Sequence, residues 1–193
     1  VPIAIKDNFD IAGLPTRVGS DLTDSAAAAA DADAVRKLRG AGAIVLGKTA
    51  MTPFAAMDPA PTRNPWNGRH TPGGSSSGSA AAVAAQMCAA ALGSQTAGSV
   101  LRPASSCGVV GLKPSYDAIG RRGLVPCAWS MDHVGPIGRD VDDVALVFGV
   151  LADDRPARAP DDDAAPVIGI PDRGFEIADA DDAQAFKDAV AVL

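Results

Sequence analysis

Residues 72–103 read PGGSSSGSAAAVAAQMCAAALGSQTAGSVLRP, a run of almost uniformly small side chains. Two serine–glycine turns, at Ser75 and Ser99, flank a small-residue helix expected over residues 79–92 and closed by Gly93. The rest of the chain agrees with this pattern. Hydrophobic residues make up 47% of it but aromatics only 4%, and alanine dominates. A core built from alanine, valine, leucine and isoleucine lets backbones pack closely.

Around that segment the pattern is strand, helix, strand. Residues 1–6 (VPIAIK) form an apolar run bounded by Asp7-Asn8 and read as a buried strand. A helix is expected from about residue 25 to residue 39, with Asp31 and Asp33 early, Arg36, Lys37 and Arg39 late, and Gly40 and Gly42 to end it. Residues 43–47 (AIVLG) form a second strand, which makes a βαβ unit with a parallel pair and a right-handed crossover. Further short strands are expected at 109–112, 123–125 and 167–170. Residues 155–166 read as an exposed connector. One helix opens at Asp140, as N-cap with Asp143 in the capping-box position, and carries Val144, Val147, Phe148 and Leu151 on its apolar face. Another starts at Asp179. The fold class is α/β, with a mixed, partly parallel sheet flanked by helices, and 193 residues suit a single domain.

A net charge of −6 argues against direct contact with nucleic acid, which calls for a basic patch. Cys88, Cys107 and Cys127 show no C-x-x-C spacing and are odd in number, so neither a disulfide framework nor a zinc site is expected, and the default setting is the reducing cytoplasm. No leader and no membrane-spanning run is recognisable. Nothing calls for a metal or an organic cofactor. Self-association is compatible with this composition.

The chemistry rests on two serines and a lysine. The Ser75 cluster lacks the G-x-x-x-x-G-K-[ST] lysine of a phosphate loop and runs straight into a helix former, unlike a linker. Small residues before Ser99 let a carbonyl approach, and the N–H groups of Thr96, Ala97, Gly98 and Ser99 suit an oxyanion hole. Lys6 ends an apolar strand, where desolvation favours the neutral amine that can accept a serine proton. Each feature also has a plainer reading: a tight turn at Ser75, an N-capping turn at Ser99, a snorkelling lysine at Lys6. His133 follows Asp132 directly, and neighbours on a strand face opposite ways, so the pair does not make a Ser-His-Asp triad. His70 reads as a loop residue.

Several long stretches together resemble the amidase signature family: VPIAIKDNFDIAGLPT, AVRKLRGAGAIVLGKTAMTPFA, NPWNGRHTPGGSSSGSAAAVAA, QTAGSVLRPASSCGVVGLKPS and GLVPCAWSMDHVGPIGRDVDDVALV. The resemblance implies an α/β/α sandwich, here a partial domain over residues 1–193 without the family's N-terminal helical segment and C-terminal half. It implies amide cleavage through an acyl-enzyme, with Ser99 as nucleophile, Ser75 as bridging serine after a cis Gly74–Ser75 peptide, and Lys6 as base. By the same resemblance Ser76 hydrogen-bonds Lys6, and Arg102 is a structural ion-pair partner of a carboxylate. The substrate is then a small-molecule amide. The alternatives are the A component of a glutamyl-tRNA amidotransferase, which releases ammonia from glutamine for partner subunits, and an inactive fragment. Departures from the family pattern are Ser77, Gln95, Ala97, Asp117 and Met131, none of which removes a catalytic side chain.

Overall fold

A computed structural model describes residues 1–24, 26–152, 167–170 and 179–192. They divide into two units, 1–155 and 156–193. In the first, β1 (Pro2–Lys6), β2 (Ile44–Thr49), β3 (Ala90–Gln95), β4 (Val110–Gly111) and β5 (His133–Gly138) form one sheet in the order β2-β1-β3-β5-β4. β1 lies parallel to both β2 and β3, whereas β5 runs antiparallel to β3 and β4. The expected mixed α/β sheet is therefore the observed one.

Side-chain alternation along the strands divides the core into two layers. Ile3, Ile5, Ala90 and Leu92 point into one, with Val35 and Leu38 of α1 (Asp33–Gly40) and Val147 and Leu151 of α4 (Val141–Leu151). Ala4, Ala91 and Ile137 point into the other, with Ala80 and Val83 of α2 (Ser77–Ala84) and Cys107 of α3 (Leu101–Cys107). Small residues set the spacing of this second layer. A Cβ at Gly78 of α2 would lie 2.6 Å from the carbonyl oxygen of Ala50, so the helix sits against backbone as only glycine permits. α4 starts as expected: the Asp140 carboxylate accepts the Asp143 N–H at 2.8 Å, while the Asp143 carboxylate turns to Arg139.

Four expectations about the elements are corrected. The stretch 79–92 is helix only as far as Ala84 and strand only from Ala90. α2 stops at Ala84, the chain turns with Gln86 in the left-handed region, and residues 90–92 begin the central strand β3. Alanine favours a helix locally, but between two helical layers the sheet needs narrow side chains, and that tertiary demand overrides propensity. The helix over 25–39 is short. Its first part runs along the 11–15 loop instead, with Ala28 N–H donating to Leu14, Gly13 N–H donating to Ala28, and Asp31 accepting from Ala12. Residues 123–125 form no strand, only a bridge from Leu124 to Phe9, and 167–170 form none. Conversely β5 was not read from the sequence, because Gly135, Pro136 and Gly138 disguise it. The 155–166 connector lies outside the described residues. In the second unit α5 (Ala180–Val192) is a helix with the Asp182 N–H donating to Asp179, as the acidic start suggests. No helix among the described residues is long and apolar enough to cross a membrane.

Candidate active site

Lys6 is the last residue of β1, and Ser94 and Gln95 end β3, so the site forms at the carboxyl ends of adjacent parallel strands. The Lys6 side chain is fully buried. Its Nζ lies 2.7 Å from Ser75 Oγ, 2.9 Å from Ser94 Oγ and 3.2 Å from the Ser94 carbonyl oxygen, hydrogen-bonded to all three. Burial drives the Lys6 pKa from 10.5 down to about 7, with the negative charge of Asp132 and, behind it, Cys127 opposing the fall. Among the described residues no carboxylate meets the amine directly, so desolvation prevails.

Ser75 follows a cis Gly74–Ser75 peptide at the entrance to α2. Its turn is held from several sides. The Thr52 N–H donates to the Ser75 carbonyl, Ser77 Oγ donates to the Gly73 carbonyl at 2.7 Å, and Arg102 Nε donates to the Gly74 carbonyl at 3.0 Å. The second serine turn is tied to the first through backbone, the Ser76 N–H donating to the Ser99 carbonyl at 3.2 Å. Lys6, Ser75 and Ser99, far apart in sequence, thus meet at one place. The hydrogen bonds join Lys6 to Ser75 side chain to side chain; Ser99 is joined through its backbone.

Residues 96–99 bridge β3 to α3, and Gln95 shapes that bridge. Its Oε1 accepts from the N–H groups of Val100 and Leu101 at 2.8 and 3.0 Å, and its Nε2 donates to the Ala97 carbonyl. The Thr96 hydroxyl donates to Asp132, whose other oxygen accepts from the Cys127 and Ala128 N–H groups. The N–H groups of Thr96, Ala97, Gly98 and Ser99 have no acceptor among the described residues.

Two supporting assignments change. Ser76 does not bond Lys6; its hydroxyl donates to the Ser94 carbonyl at 3.3 Å, and the lysine is held by Ser94 instead. The bulk-free position Gly93 brings α2 so close to β3 that the Ser76 hydroxyl reaches the strand before it reaches the amine. Arg102 has no carboxylate partner among the described residues, its contact being the Gly74 carbonyl. Sequence reasoning also passed over Ser94 and Asn8, and weighed Asp132 only as a partner for His133. Asn8 Nδ2 donates to Ser94 Oγ at 2.9 Å, so that hydroxyl receives both the amide and the amine. All three are buried polar residues beside apolar strands, and that contrast was the available signal.

The histidines stand apart from this network. His133 pairs with Gln95 across the sheet, its ring meets Tyr116 edge-on at 5.6 Å, and its buried Nδ1 has no hydrogen-bond partner among the described residues. Asp132 points to Thr96 and does not orient it. His70 lies in an exposed loop.

The family model "Amidase" matches residues 1–188. Among curated proteins, the chain is 49% identical over 158 residues to the A component of glutamyl-tRNA(Gln) amidotransferase from Nitratidesulfovibrio vulgaris, covering 79% of this chain and 32% of that protein. It is 43% identical over 213 residues to the component of the same name from Trichlorobacter lovleyi, covering 100% and 44%. Among solved structures, native peptide amidase from Stenotrophomonas maltophilia aligns with a TM-score of 0.75 and 41% identity, over 82% of this chain and 37% of that one. The A component of the Thermotoga maritima glutamyl-tRNA(Gln) amidotransferase aligns with a TM-score of 0.74 and 45% identity, over 79% and 35%. The chain spans less than half the length of these relatives.

Proposed function

The chain belongs to the Amidase family, and from that premise we propose that it cleaves a carboxamide C–N bond through an acyl-enzyme, with Ser99 as nucleophile, Ser75 as bridging proton carrier and Lys6 as base. The observation that carries this reading is the buried Lys6 amine, with a pKa of about 7, at 2.7 Å from Ser75 Oγ.

A neutral amine has two N–H donors and one lone pair. Ser94 offers two acceptors, its hydroxyl and its carbonyl, which take both N–H groups and leave the lone pair directed at Ser75. Ser75 then gives its proton to Lys6 as it takes one from Ser99. The freed Ser99 oxygen attacks the amide carbon, and the negative charge on the carbonyl oxygen falls to the unpaired N–H groups of residues 96–99. Collapse of this intermediate breaks the C–N bond, and the proton held on Lys6 returns through Ser75 to the departing amine. Water repeats the sequence on the Ser99 ester and releases the carboxylic acid. Asp132 favours the protonated state of Lys6 while it holds the proton. No step calls on a metal or an organic cofactor. The buried thiols of Cys88 and Cys107 suit a cytoplasmic setting.

Replacing Ser99 with alanine should abolish hydrolysis of a chromogenic amide and labelling by a fluorophosphonate, with the adduct in the parent protein located at Ser99 by mass spectrometry. Full activity in Lys6→Ala together with a dead His133→Ala would refute the relay.

A second reading has a specific observation behind it: the relatives at 43–49% identity are A components of amidotransferases. On that reading the amide is glutamine, and the ammonia passes to a partner protein that acts on aminoacyl-tRNA. Glutaminase activity that requires a co-purifying partner supports it. Hydrolysis of unrelated alkyl or aryl amides by the protein alone supports the stand-alone amidase, as does its likeness to peptide amidase.

A further inference from the structure

A cavity of about 530 Å³ opens beside the Ser75 turn, with Gly74 and Ser77 on its wall. Arg63, Arg69, His70 and Arg102 also line it, and among the described residues no Asp or Glu does. Asp58 belongs to the neighbouring loop but is exposed and not on the wall. Acidic residues outnumber Lys and Arg by 23 to 17 in this chain, so a wall with three arginines and, among the described residues, no carboxylate runs against its composition.

These guanidinium groups are also unusual in their partners. Arg17, Arg36, Arg39, Arg121, Arg122 and Arg139 each pair with a carboxylate. Among the described residues Arg63, Arg69 and Arg102 pair with none. Arg63 donates one N–H to the Gly68 carbonyl and Arg102 its Nε–H to the Gly74 carbonyl. Those bonds fix the two groups and leave most of their five donors unused. Two anchored guanidinium groups and a third beside them, in a concave site, suit an oxyanion bound by paired N–H donors.

We propose that this cavity receives the anionic end of the substrate, so that the amide cleaved is one that carries a carboxylate or a phosphate elsewhere in the molecule. This rests on the amide-cleaving function inferred above, and it narrows the substrate class. Arg102 links the two places: the same side chain lines the cavity and holds the carbonyl of Gly74, whose peptide leads into Ser75.

The test compares kcat/KM for a dicarboxylic acid monoamide, a phosphate-bearing amide and a neutral amide of equal length. It is paired with calorimetric titration of the protein by inorganic phosphate and by a dicarboxylate. The expected result is a preference of about tenfold or more for one anionic amide, reduced by added salt. In the double variant Arg63→Gln/Arg69→Gln that preference should fall towards unity, with hydrolysis of the neutral amide unchanged and anion binding lost. Neither residue belongs to the proton relay, and Arg102→Lys serves as a further variant that keeps the charge. The better of the two anionic amides tells a carboxylate site from a phosphate site. Equal kcat/KM for charged and neutral amides, or anion binding untouched in the double variant, overturns the proposal. Anion binding at these arginines without cleavage of any amide supports the site and refutes the catalytic reading on which the substrate class rests.

Discussion

Burying Lys6 should leave a measurable signature in the pH dependence of stability. With a native pKa of about 7 against 10.5 for the free side chain, the folded protein disfavours the ammonium by roughly 5 kcal/mol relative to water. Between those two values the unfolded chain binds more protons at this position than the native one, so Lys6 makes stability rise with pH across the window from about 7 to 10.5. Integrated from about pH 6 to about pH 9, the gain is about 2.5–3 kcal/mol. Lys6→Met removes the titration and keeps much of the side-chain volume. Urea unfolding of both proteins at the two pH values isolates the contribution, because every other titrating group cancels in the difference. The wild type should gain on the variant by that amount as pH rises. A difference that stays flat would mean that Lys6 keeps an ordinary pKa and remains an ammonium at neutral pH. That result would remove the base from the proposed relay.

Three further outcomes test the surroundings of the site. Ser94→Ala takes one acceptor from the Lys6 amine and should lower kcat about tenfold, the equivalent of one buried hydrogen bond. Because the ammonium loses that acceptor too, the acidic limb of the rate profile should move to lower pH; an unmoved profile would refute the role given to Ser94. Gly93→Ala would put a Cβ 2.9 Å from Ser76 Oγ and 3.1 Å from a Val100 methyl. A loss of about 1–3 kcal/mol in urea unfolding is expected, and none would show that α2 is not held against β3. Asp117 has φ +61° and only an exposed ion pair, 3.4 Å from Arg121, to offset it. Asp117→Gly should therefore raise stability by about 0.5 kcal/mol, and a lowered urea midpoint would contradict this.

Much of the frame was legible because it rests on local signals. The apolar run ending in Lys6, the second strand and the Asp140 cap each carry their instruction within a few residues. The alanine-rich segment did not. Residues 80–84 and 90–92 look alike in composition, yet the first group coils and the second extends. What separates them is position, since 90–92 have to fill the middle of a sheet covered on both faces. β5 was missed for the opposite reason: its glycines and proline weaken every strand signal, and the places they fill are set by neighbours such as Val100 and Val144.

The site divides along the same line. The residue types were legible along the chain, Lys6 at the end of an apolar strand and the two serine turns, and their resemblance to a family implied the chemistry to expect. Tertiary structure decided which partner holds the lysine. Ser94, not Ser76, accepts from the amine, because parallel pairing of β1 with β3 brings Lys6 alongside the end of β3. It also decided what surrounds the Ser75 turn, where Arg63, Arg69 and Arg102 come together although Arg102 lies on α3 and the others on a loop before α2. Side-chain identity is a property of the chain, but desolvation and proximity depend on what the fold packs around each residue, and both the pKa of Lys6 and the charge of that cavity follow from them.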